Sequence, residues 1–224
     1  MCGTWIFKRA ALLALFVLAG LAGPAQPVAL QWTDTYVGRL QVLALLQTLN
    51  AELLASRSAT LTLEHWCRDH RLAAKPEVVA RLMAGDTKAP TAEQLGRLQV
   101  ESPGEVKYRR VELRCGDVLL SVADNWYVPG RLTAAMNRAL ETTAEPFGKA
   151  VRELEPTRQT IAMTILWAPL PEGWEMGAAG ENNTMPDALF EHRAVLFTSE
   201  RKPFSEVREI YQRGLFRFVP PVAK

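Results

Sequence analysis

Tyr108-Arg109-Arg110-Val111-Glu112-Leu113-Arg114-Cys115-Gly116 changes the period of the chain from helical to two. Tyr108, Arg110, Glu112 and Arg114 alternate with Arg109, Val111, Leu113 and Cys115, which is the pattern of a half-buried β-strand with Val111, Leu113 and Cys115 toward the core. Gly116-Asp117 supplies a turn. Val118 to Val128 then returns as the second strand of a hairpin, and Pro129-Gly130 stops it.

Downstream, Thr133 caps a helix holding Leu132, Met136 and Leu140, and a turn at Pro146-Phe147-Gly148 follows. Strands are expected at Thr160 to Leu166, Glu191 to Thr198 and Phe204 to Tyr211. A Gly-, Asn- and Pro-rich surface loop over Glu172 to Pro186 separates the first of these from the other two. The tail from Leu215 to Val219 is read as an edge strand before Pro220-Pro221. Upstream the period is helical. Val37, Leu40, Leu43, Ala44, Leu45, Leu49, Leu53 and Leu54 predict an amphipathic helix opening at Thr33-Asp34. Leu63 to Arg71 predicts a second, with Leu63, Trp66 and Cys67 inward. Val78, Val79 and Leu82 fit either a short helix or a strand. Thr91 to Gln94 has the form of a capping box. Helices first and strands later argue α+β, a mostly antiparallel sheet with helices packed on one side.

The 48% hydrophobic and 22% charged composition is that of an ordinary soluble domain. The net charge of +2, with its basic residues scattered, leaves no electrostatic footprint for nucleic acid. The N-terminus reads differently from the rest. Lys8-Arg9, an apolar run from Ala10 to Ala22 and small residues at Gly23, Ala25 and Ala29 describe a secretory signal peptide over residues 1–25. The run is shorter than the roughly 18–20 residues of a spanning helix. An uncleaved anchor is the alternative. Removal of the signal leaves one domain over residues 30–219, periplasmic or secreted, with no stable membrane span. Cys67 and Cys115 then remain in an oxidising compartment, where they either pair as a disulfide or stay as two buried thiols. His65, His70 and His192 form no paired-ligand motif, and no phosphate loop, zinc spacing or nucleophile elbow is present, so no cofactor is implied.

In order and spacing, Arg110 to Gly116, then Trp126-Tyr127-Val128-Pro129, then Pro146-Phe147-Gly148 resemble the chorismate pyruvate-lyase family and its fold relatives, the ligand-binding domains of GntR-type regulators. The likeness covers roughly residues 106–218. It implies a chorismate lyase-like fold and a pocket for a small aromatic or carboxylate ligand. By that resemblance Arg110 binds a carboxylate, as a planar bidentate donor suits. The backbone N–H of Phe147 assists it, and a late glutamate, Glu209 or alternatively Glu206, meets the far end of the ligand as an acid. Trp126 and Tyr127 offer stacking surfaces, and Arg158 stands where it can close over the pocket. Asp124-Asn125 occupies the place where the family commonly carries Ala-Arg.

Three functions follow. The first is an exported small-molecule binding protein. The second is a carbon–oxygen lyase that eliminates pyruvate from chorismate or a similar enol ether. The third is an envelope structural protein whose pocket is filled by its own side chains. The oligomeric state is not encoded in any of these motifs. Export makes the first prediction: N-terminal sequencing of protein recovered from the periplasm should begin near Gln26, and an intact Met1 in cytosolic material would contradict it.

Overall fold

The computed structural model describes residues 34–85, 87–176 and 184–219. The apolar run of the N-terminus, the cleavage expected near Ala25 and the middle of the Glu172–Pro186 loop lie outside those residues. The helices are α1 (Tyr36–Ala55), α2 (Ala59–Asp69), α3 (Ala92–Leu98), α4 (Ala134–Thr142) and the single turn α5 (Phe147–Ala150). The strands are β1 (Val78–Leu82), β2 (Lys107–Cys115), β3 (Val118–Tyr127), β4 (Thr157–Ile165), β5 (Ala188–Phe197) and β6 (Pro203–Gln212). They form one six-stranded sheet in the order β1-β2-β3-β6-β5-β4. Every pairing is antiparallel. The fold is α+β.

Local chemistry sets the boundaries. Thr35 Oγ1 accepts from the Gly38 N–H and starts α1, and Ser58 Oγ accepts from Leu61 N and starts α2, each satisfying a donor that the helix leaves free. Thr91 and Gln94 form the expected reciprocal capping box at α3. Gly116, at φ +57°, closes the two-residue turn between β2 and β3.

The main core lies between one face of the sheet and the pair α1–α2. Val42, Leu46, Leu49 and Leu53 of α1 and Leu63, Trp66 and Cys67 of α2 pack on Val111, Leu113, Ala123, Val207 and Tyr211. The buried stripe of α1 differs from the expected one: Val37 is 64% and Leu54 43% exposed, while Val42 and Leu46 are fully buried. Leucines surround this helix, so periodicity alone does not choose which of them faces the sheet. A disulfide joins Cys67 of α2 to Cys115 at the end of β2, with Cα atoms 6.5 Å apart. A cross-link closing a loop of this length contributes about 4 kcal/mol in the chain-entropy picture.

Two expectations are corrected. The tail is no edge strand: Arg213–Phe216 forms a 3-10 turn, and Leu215 and Phe216 are fully buried. The Leu215 carbonyl accepts from Trp66 Nε1 at 2.8 Å, and a Cβ on Gly214 would come within 2.2 Å of the Leu119 carbonyl oxygen. The tail therefore plugs the core. Nor do all the helices share one side of the sheet. α3 crosses the other side, where Gln94 and Arg97 bond Glu206 of β6.

Leu46→Ala should cost about 2–5 kcal/mol in urea melts, whereas Leu54→Ala should cost about 0.5 kcal/mol or less. Similar losses at both positions would contradict the assigned face of α1.

Candidate functional site

Strand parity sorts the side chains. Along β2, Arg109, Val111 and Leu113 stand opposite Asn125, Ala123 and Ser121 of β3. Ala123 and Asn125 stand in turn opposite Glu209 and Val207 of β6, and these face His192 and Ala194 of β5. This is the face beneath α1, α2 and α5. Tyr108, Arg110, Asp124, Trp126, Glu206 and Arg208 occupy the alternate positions and belong to the other face.

Under α2 and α5 a cavity of about 40 Å³ is lined by Ser58, Thr60, Asn125, Phe147, Arg158 and Glu209, among others. Arg158 Nη2 donates to Glu209 Oε2 at 2.7 Å, and the Tyr211 hydroxyl donates to the same oxygen at 3.0 Å. Burial works against the Arg158 charge, but Glu209 and Tyr211 outweigh it and hold its pKa above the ordinary value. Burial, with Glu209 beside it, keeps the Tyr211 phenol protonated far above its usual range. His192 is fully buried and bonds Asn50 Oδ1 of α1 through Nε2 at 2.8 Å. Burial lowers its pKa to about 4, so the ring is neutral at physiological pH. The cavity takes a few waters, each needing about 10–15 Å³, and is far smaller than the roughly 150 Å³ void that admits benzene.

Phe147, Glu209 and Arg158 line this one cavity, and Arg110, Glu206 and Trp126 do not join them. Arg110 turns to the other face, its Nε 3.7 Å from Asp124 Oδ1. Glu206 is 1% exposed and held by Gln94, Arg97 and Arg193. Trp126 packs with Leu98 and Val128 and donates through Nε1 to the Lys88 carbonyl at 3.0 Å. The reason is parity: Arg110 and Glu206 stand an odd number of residues from the inward-facing Val111 and Glu209, and Trp126 is the odd neighbour of Asn125.

A second concavity opens at the sheet edge. β1 pairs only with Val111–Cys115 of β2, and the last bond on that side runs from Met83 N to the Arg110 carbonyl at 3.0 Å. Among the described residues, the first residues of β2 are left as a free edge and form one wall of a groove of about 600 Å³. Lys107, Tyr108, Arg109, Arg110, Tyr127 and Leu140 are among its lining residues. That size lies within the range of small-molecule sites. Lys107 is ion-paired with Glu141 of α4. Arg109 is different. It is 4% exposed, its Nη2 donates to the Glu145 carbonyl at 3.0 Å, and its Nε and Nη1 have no hydrogen-bond partner among the described residues. Burial lowers its pKa. Asn125, opposite it on β3, is 2% exposed and has an unpartnered Nδ2.

Arg109 and His192 were given no site role from the sequence, and Asn125 was noted only as standing where the resemblance expects an arginine. For Arg109 the signal was present, because alternation groups it with Val111, Leu113 and Cys115. Asn125 and His192 sit on strands that read as buried runs, where type alone does not separate a working polar group from a packed one.

No family model matches the chain. Over 199 residues it is 46% identical to the uncharacterized protein y4mC of Sinorhizobium fredii, across 86% of this chain and 84% of that protein. The chain belongs to the family of y4mC. Among solved structures it resembles PhnF from Mycobacterium smegmatis, with a TM-score of 0.46 and 14% identity over 71% of this chain and 65% of that one. It also resembles a GntR-family transcriptional regulator from Enterococcus faecalis, with a TM-score of 0.40 and 13% identity over 65% of this chain and 99% of that one. Likenesses of this size assign no ligand, and the α+β class rests on the strand order itself. Among the described residues no group of His, Cys, Asp and Glu is arranged to hold a metal ion, and no helix is long and apolar enough to cross a membrane.

His192 gives the fold a pH dependence whose sign is fixed. Its folded pKa of about 4 lies below the ordinary 6.5, so between those values the unfolded chain binds the extra proton. Stability should be full above pH 6.5 and fall by about 3 kcal/mol as pH drops to about 4. Urea midpoints for His192→Gln should fall less steeply over that window. Parallel profiles for the two proteins would contradict the assignment.

Proposed function

We propose that this chain is an exported binding protein for a small anionic ligand, a carboxylate of aromatic or similar size, held in the edge groove by Arg109. One observation carries the reading: a guanidinium that is almost wholly buried and has no carboxylate partner among the described residues. A buried cation left unpaired costs several kcal/mol, and a bound carboxylate offers what is missing, two acceptor oxygens for a planar donor. Tyr108, Tyr127 and Leu140 line the same groove and supply apolar surface beside the charge. Arg110 lines it too, so the carboxylate role implied for that residue moves one position along the strand, with Arg110 at the rim. Export rests on the charged start and apolar run of residues 1–25.

The elimination reading asks for a carboxylate-holding arginine and an acidic glutamate across one cavity. Glu209 lies in the smaller cavity and is engaged by Arg158 and Tyr211, so the proposal is binding alone.

Arg109→Met tests it through two opposed effects. Replacing an unpaired buried charge by an apolar group of similar length should leave the ligand-free protein as stable, or more stable by about 1–4 kcal/mol. In calorimetric titrations with benzoate, 4-hydroxybenzoate and succinate, affinity should fall by roughly 10- to 100-fold, as loss of a charge-assisted hydrogen bond implies. If wild-type protein binds none of these anions, or the variant binds them equally well, the proposal fails. A variant that is strongly destabilised would show that Arg109 serves the fold instead.

A further inference from the structure

The two edges of the sheet are treated differently. β1 is five residues long, carries Arg81, and has its Ala80 N–H taken by the Ala144 carbonyl at 2.8 Å. Short length, charge and cover are the usual means of keeping an edge strand from pairing. β4 has little of this protection. It is nine residues long and, among the described residues, pairs on one side only, with β5. A register shift between Thr160 and Ala162 is its only irregularity. Ile161 is 38%, Met163 42% and Leu166 46% exposed. From Gln159 to Leu170 the sequence has no charged residue. The one charged residue on the strand, Arg158, is withdrawn: its side chain is 3% exposed and bound to Glu209.

We propose that β4 is a self-association strand, on which a second copy of this chain docks antiparallel, edge to edge, so that two sheets become one. Its charge pattern selects the occupant. In a two-fold pair a strand must oppose its own sequence, and like charges placed opposite one another are destabilising. An uncharged run meets itself without that cost and gives a charged peptide nothing to recognise. The exposed Ile161 and Met163 would be covered by their own counterparts, and the free N–H and C=O groups of the edge would find partners. Two-fold closure uses up both free edges and ends the assembly at a dimer, because β1 is blocked by the Ala144 contact.

Light scattering coupled to size exclusion, run on the purified protein over a concentration series, should give twice the chain mass. Ile161→Lys and Met163→Lys should each give a single-chain mass. Both side chains are substantially exposed, so circular dichroism and melting of the monomeric variants should match the wild type. Hydrogen exchange at the β4 amides should slow as concentration rises. Any of three results would overturn the proposal: a monomer at every concentration, a dimer that survives both lysine substitutions, or β4 amides protected equally at all concentrations, which would mean that another segment of the same chain or a co-purified protein covers the edge.

Discussion

Two consecutive arginines on a strand cannot share a face. In β2 one of Arg109 and Arg110 has to go beneath the helices, because Val111, Leu113 and Cys115 fix the parity and the Cys115 disulfide holds the end of the strand against α2. The one that goes under is Arg109. Shifting the strand by one residue to spare it would expose three core positions and break the pairing of Val111 with Ala123 and Leu113 with Ser121. At about 1.5–3 kcal/mol for each apolar side chain so exposed, that alternative is costlier than desolvating one guanidinium that keeps a backbone acceptor. The buried cation is thus a consequence of the fold that no described residue neutralises.

The rest of the sheet shows how unusual this is. On the outer face, Asp124 gathers Lys88, Tyr108, Arg110 and Arg208, and Glu206 gathers Arg97 and Arg193. These contacts pin the segment around α3 across the strands. On the inner face, Arg158 is matched by Glu209. Each of these charged groups has a counter-charge within 4 Å, and among the described residues Arg109 has a single carbonyl. An unmatched buried charge beside a groove of ligand size is a stronger pointer to binding than the smaller cavity at Glu209, whose volume suits water.

Much of the architecture was legible. The period of two in β2, the Gly116-Asp117 turn and the Thr91 and Thr133 caps are local signals, and each lies where local chemistry puts it. The face of α1 was not legible, because a helix with leucines on every side satisfies more than one docking. The tail was misread because an apolar run ending at prolines fits an edge strand as well as a plug, and only the close approach of Gly214 to β3 decides between them. At the site, the resemblance pointed to Arg110 and left Glu206 and Glu209 open. Parity separates the candidates by face: Arg109 shares the side of Val111 and Glu209 that of Val207, whereas Arg110 and Glu206 face the other side. What sequence could not supply was which polar groups on that side find partners. That depends on contacts as remote as Arg158 with Glu209 and Asn50 with His192.

The central claim is that Arg109 is a buried cation held for an anion from outside the chain. A crystal structure of protein soaked with an aromatic carboxylate tests this most directly. The account predicts a carboxylate oxygen within hydrogen-bond distance of the Arg109 guanidinium, at the wall of the edge groove. An Arg109 side chain turned out to bulk solvent, or paired with a carboxylate of its own chain, would contradict it.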